Sequence, residues 1–137
     1  MPHLVVLYTP GLDGESDIAA LCRSLADAML GVRDEAAAQV FPTGGVRVFA
    51  VPAAYAAVAD GRREAAFVYL NLRMGRGRSA EVRRRAGAAI AEAARAHFAP
   101  LLAARPLGLT LQIDEGAEVF DAKLGNLHAQ FSNKAPS

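Results

Sequence analysis

The chain has 137 residues and a mass of 14.4 kDa, and 53% of its residues are hydrophobic. That is the size of a single domain with its own core, and it excludes a multidomain machine. Fifteen basic residues against 14 acidic ones leave a net charge of +1, too little for a protein that coats nucleic acid by counterion release.

The apolar run Leu4-Val5-Val6-Leu7-Tyr8 is stopped by Thr9-Pro10-Gly11 and predicts a strand buried on both faces. A helix follows, with Ser16 as its expected N-cap and an apolar stripe of Ile18, Leu21, Cys22, Leu25, Ala28, Met29 and Val32 at three- and four-residue spacing. Pro42-Thr43-Gly44-Gly45 breaks the chain before a second strand over Val46–Val51, which Pro52 ends or bulges. The alanine-rich stretch to Gly61 reads equally as continuing strand or irregular chain.

The same order then recurs. Ala65–Arg73 predicts a strand, Ser79 to about Ala103 a long helix, and Leu107–Asp114 a last strand. The long helix is expected to bury Val82, Ala86, Ala89, Ile90, Ala93, His97 and Leu101. The last strand alternates, with Leu107, Leu109, Leu111 and Ile113 on one face and Thr110 and Gln112 on the other. Two tandem β-α-β units, over about 2–60 and 65–131, thus predict one α+β domain spanning residues 1–137. Its four-stranded mixed sheet carries two helices on one face, with parallel strands inside each unit. The other face, with Tyr69, Asn71, Thr110 and Gln112 beside the apolar first two strands, is too apolar for bare water. Other copies of the chain are expected to cover it in a closed symmetric oligomer.

Cys22 is the only cysteine, so an internal disulfide and a multi-cysteine metal site are excluded, and a reducing compartment fits. The start Met1-Pro2-His3-Leu4 lacks the basic and apolar regions of a signal peptide, and no apolar run of about 18 residues or more occurs. A cytoplasmic protein without membrane or nucleic-acid partners is the expectation. His3 and His128 lie far apart in sequence and pair with no acid at ligand spacing, so neither metal nor cofactor is assigned. His97 reads as a core histidine and Cys22 as a small core residue. Arg83-Arg84-Arg85 reads as a solvated helix face. Gly75-Arg76-Gly77 lacks the third glycine of a dinucleotide fingerprint.

Three residues carry chemistry. Once Met1 is removed, Pro2 offers a secondary amine, whose charged form desolvation and neighbouring arginines disfavour; such an amine is a usable general base. Arg47 sits in the apolar strand Val46-Arg47-Val48-Phe49, where a guanidinium needs a carboxylate or a ligand anion. Arg78 stands at a turn into a helix, where free N–H groups and the helix dipole favour an anion.

Met1-Pro2 ahead of a strand, Gly45-Val46-Arg47, Ala59-Asp60-Gly61, Ala66-Phe67-Val68, Gly75-Arg76-Gly77-Arg78-Ser79, Ala96-His97-Phe98-Ala99 and Asn126-Leu127-His128-Ala129-Gln130-Phe131 follow one another in order. In this the sequence resembles the tautomerase superfamily and, within it, the 5-carboxymethyl-2-hydroxymuconate Δ-isomerase family. The resemblance implies a homotrimer around a barrel-like interior and a role in catabolism of aromatic compounds. It implies Pro2 as acid-base catalyst, with Arg47 and Arg78 holding a carboxylated enol or dienol. The reaction implied is a cofactor-independent shift of a proton and a double bond. A hydratase or dehalogenase using Pro2 as general acid, and a non-catalytic trimeric anion binder, are the competing expectations.

Overall fold

The computed structural model describes residues 2–131. Its order is β1 (His3–Tyr8), α1 (Ile18–Leu30), β2 (Arg47–Pro52), β3 (Ala66–Met74), α2 (Ala80–Ala104), β4 (Leu107–Glu115) and a short C-terminal α3 (Leu127–Gln130). The four strands form one mixed sheet in the order β2-β1-β3-β4. β1 and β2 are parallel, as are β3 and β4, and an antiparallel pairing of β1 with β3 joins the two β-α-β halves. No helix among the described residues is long and apolar enough to cross a membrane.

Both long helices pack on one face. Leu21, Leu25 and Met29 of α1 and Ala86, Ile90, Ala94 and Phe98 of α2 share a core with Leu4, Val6, Val68, Leu70 and Leu72 of the sheet. The predicted stripe of α2 is therefore rotated slightly: Ala94 and Phe98 are buried, while Ala93 and Leu101 flank the core and His97 is half-buried. Cys22 likewise stands half-buried at the flank of α1 rather than in the core. The predicted face of β4 holds, with Leu107, Leu109, Leu111 and Ile113 packed against the core.

The N-cap of α1 is Asp17, not Ser16; its carboxylate accepts from the Ala20 N–H at 3.0 Å. A carboxylate also interacts favourably with the helix dipole, which a hydroxyl does only weakly. Ser16 is instead hydrogen-bonded to His97, Oγ to Nε2 at 2.7 Å, which satisfies that imidazole at the edge of the core. Ser79, expected as the first residue of α2, is its N-cap, accepting from the Val82 N–H at 3.2 Å.

β1 is not covered on both faces. Leu4 and Val6 are fully buried, but Val5 and Leu7 on the opposite side are 40% and 43% exposed. An unbroken apolar run reads the same whether its second face meets a helix or another chain. β2 ends at Pro52, which pairs with Tyr8, and the alanine-rich segment that follows is irregular. Arg83, Arg84 and Arg85 are ion-paired rather than merely solvated, the first with Glu115 at 2.8 Å and the others with Glu81.

Candidate active site

Because β1 runs with β2 and against β3, one end of the sheet gathers the starts of β1 and β2 and the ends of β3 and β4. The register makes Arg47 and Arg73 the two partners of His3, and Asp114 the partner of Arg73. Paired residues project from the same side of a sheet. Arg47, His3, Arg73 and Asp114 therefore form a polar row across the open face, in line with Val5, Leu7 and Asn71 rather than with the core.

The chain after β4 folds back over this row. Gly116 donates its N–H to the Met74 carbonyl at 2.7 Å, and α3 then seats on the turn before β2. Gly44 permits that seating: a Cβ there would stand 3.0 Å from the His128 Cα and 3.1 Å from the Leu127 carbonyl oxygen. The result is a cavity of about 490 Å³ floored by His3, Arg47, Arg73 and Met74 and walled by tail residues including Glu118, Asp121, Lys123 and His128.

Pro2 is buried at the head of β1, one residue before this row, and is not itself among the residues that line the cavity. Arg47 opens β2, half-buried, rather than lying in the middle of a strand, and its Nη1 donates to the Gly45 carbonyl at 3.4 Å. Arg78 occupies the turn into α2. Its guanidinium lies 5.1 Å from the ring centroid of the buried Phe41, and its Nη1 donates to the Gly75 carbonyl at 3.2 Å. Arg78 is not among the residues that line the cavity, so within one chain the two arginines take different stations at the same sheet end. Arg76 is exposed.

The cavity joins cations to carboxylates: Arg73 faces Glu118 at 3.8 Å, and Lys123 is paired with Asp121. Desolvation, reinforced by the Arg47 charge, holds the His3 imidazole below its usual pKa and so favours the neutral ring. His3 and His128, distant in sequence, share this cavity. Among the described residues no three histidine, cysteine or acidic side chains are grouped to hold a metal ion. Arg73 and the tail went unremarked as site residues in the sequence. The usable signal was parity, since Arg73 alternates with Asn71 and Tyr69 of the open face, as His3 does with Val5 and Leu7.

A solved fused 4-OT, a symmetric trimer, is similar in fold, with a TM-score of 0.57 at 21% identity over 88% of this chain and 93% of its own. The likeness is one of fold, two β-α-β halves joined in a single sheet. The sequence profile of 5-carboxymethyl-2-hydroxymuconate isomerase matches residues 2–131, and the chain belongs to that family of isomerases. It is 32% identical to the Escherichia coli 5-carboxymethyl-2-hydroxymuconate Δ-isomerase over 131 residues, 96% of this chain and 99% of that one. A crystal structure of a 5-carboxymethyl-2-hydroxymuconate Δ-isomerase is 58% identical, with a TM-score of 0.92 over 99% of this chain and 96% of its own. Another, from Deinococcus radiodurans R1, is 36% identical, with a TM-score of 0.85 over 96% and 95%.

Proposed function

We propose that this chain moves a proton and a double bond in a carboxylated dienol such as 5-carboxymethyl-2-hydroxymuconate, without metal or cofactor. The freed amine of Pro2 is the general base, and Arg47 and Arg78 bind the substrate. The observation that carries this reading is the register that sets Pro2 directly before His3, between strands that deliver Arg47 and Arg73 to one cavity.

While Met1 is attached, the Pro2 nitrogen is an amide without a basic lone pair. Once freed, it is a secondary amine at a buried strand head, where desolvation favours the neutral form and a guanidinium brought close to it would do the same. It takes the proton of the 2-hydroxyl, leaving a dienolate whose charge spreads along the conjugated chain. The prolinium returns that proton to a distal carbon, so the enol becomes a ketone and the double bond moves with no net change of charge. Preorganised guanidinium donors stabilise the dienolate most where water is excluded. Arg78, with the N-terminus of α2 behind it, adds a second anion-binding position.

The working form in this reading is a homotrimer, as the family resemblance implies, and the apolar surface that Val5, Leu7, Phe49 and Val51 leave on the open face supports its covering by another copy. Assembly also offers a route by which Arg78 of one copy meets the cavity of another. The single cysteine suits a reducing compartment such as the cytoplasm.

The test compares two forms separated by intact mass, one with Pro2 free and one with Met1 retained, in a spectroscopic ketonisation assay. The free form is expected to be faster in kcat by about 10²–10⁴-fold, the usual contribution of a general base. Arg47→Ala in the free form should chiefly raise KM. Equal turnover by the two forms removes Pro2 from the mechanism.

A further inference from the structure

The tail brings carboxylates into the cavity as well as cations, and one of them is placed with unusual economy. Glu118 Oε1 lies 3.8 Å from Arg73 Nη2. To reach there the side chain folds back over Gly116, so closely that a Cβ at 116 would fall inside the carboxylate. Gly116 is in turn fixed by its 2.7 Å hydrogen bond to the Met74 carbonyl, one residue beyond Arg73. Both partners of the ion pair are thus tied to one point at the end of β3. The pair is half exposed on each side, 52% at Arg73 and 41% at Glu118, so an incoming anion can reach it.

We propose that Glu118 competes with the anionic substrate for Arg73 and thereby sets how tightly the cavity binds it. This rests on the isomerase reading above and adds Arg73 to Arg47 and Arg78 as a position for a carboxylate of the dienol, one that Glu118 fills with its own carboxylate in the free chain. An anion entering the cavity displaces Glu118 before it gains Arg73. That cost is common to every anion that takes Arg73, so Glu118 lowers the affinity of the cavity for anions as a class, and the several carboxylates of a compound such as 5-carboxymethyl-2-hydroxymuconate offset it through their other contacts. Gly116 is the positioning residue that makes the fold-back possible.

The experiment uses the full chain with Pro2 free and titrates tricarballylate, an unreactive tricarboxylate, into the parent, Glu118→Gln, Gly116→Ala and the double variant by calorimetry at low salt. Glu118→Gln should tighten binding roughly two- to five-fold, the scale of one exposed ion pair, and high salt should erase the difference. Gly116→Ala, whose new methyl evicts the same carboxylate, should shift affinity in the same direction, and the double variant should add nothing to Glu118→Gln. KM for the dienol should fall with the binding constant while kcat stays unchanged. Unchanged or weaker binding by Glu118→Gln, additive effects in the double variant, or no tricarballylate binding to any form overturns the proposal. Calorimetry reads Glu118 without turnover, so a failure of the isomerase assay and a failure here are separate results.

Discussion

The two faces of this sheet are made from the same strands and have opposite fates. Along β1, Leu4 and Val6 are fully buried beneath the helices, while Val5 and Leu7 one residue away are 40% and 43% exposed; on β2, Phe49 and Val51 are more than 45% exposed. The helix face is completed within the chain. The open face is completed only in part: its β3–β4 half satisfies itself through Tyr69 Oη to Gln112 Oε1 at 2.8 Å and Asn71 Nδ2 to Asp114 Oδ2 at 2.9 Å, but its β1–β2 half is apolar. The difference teaches where the chemistry belongs. The charged row lies at the end of the unfinished face, where the chain's own tail and whatever covers that face meet.

The largest effect should come from the finished face. Phe98→Ala, at a fully buried position of α2, is expected to cost about 3–5 kcal/mol by leaving a cavity, measured by urea unfolding at matched protomer concentration. Phe49→Asp tests the other face. A carboxylate in place of a ring that is 54% exposed in the single chain should leave the fold intact and disrupt assembly, so the mass by light scattering falls toward 14.4 kDa. A variant that keeps the mass of the parent assembly would show that this face is not the interface.

A smaller effect sharpens the role of the tail. At Gly44→Ala the new Cβ meets backbone, not a flexible side chain, at 3.0 Å from the His128 Cα, so α3 must shift. Overpacking of this kind costs roughly 1–3 kcal/mol. The cost should be local: amide exchange at Leu127–Gln130 accelerates while the β1–β3 ladder keeps its protection, and KM for the dienol rises. Global loss of protection would mean that the tail is integral to the core rather than a wall of the cavity.

Much of this was legible in the chain. Apolar periodicity located the four strands and two long helices, because each is long and shows a consistent spacing against the core. Where local signals competed, the reading slipped by one residue. Ser16 and Asp17 are both good caps, and only the 3.0 Å contact to Ala20 decides for Asp17. Ala93/His97 and Ala94/Phe98 lie on adjacent faces of one helix, and tertiary packing buries the pair with the larger apolar ring. The pieces Gly45-Val46-Arg47 and Gly77-Arg78-Ser79 marked Arg47 and Arg78, but the row through His3 and Arg73 depends on the antiparallel β1–β3 register, which no local signal encodes. The cavity wall depends on a tail with almost no regular structure, whose seating is set by two missing Cβ atoms.

The smallest effect belongs to the rim of the helix face. Burial lowers the pKa of His97 below its ordinary 6.5, against a weaker opposing pull from Asp17. Below pH 6.5 the unfolded chain therefore binds protons more readily at this site than the folded one. The contribution of His97 to stability is flat above that pH and is lost as the pH falls toward the folded pKa. His3, lowered for the same reason with Arg47 adding to it, contributes with the same sign from the open face. His97→Gln removes one share and leaves the other. Urea unfolding at pH 7.5 and 5.5 should show a smaller acid loss in the variant than in the parent, and the remaining loss should shrink again when His3→Gln is added. Identical pH dependence in parent and His97→Gln would mean that the Ser16 hydrogen bond holds the imidazolium as well as it holds the neutral ring, and of these two histidines only His3, on the open face, would then make stability respond to protons.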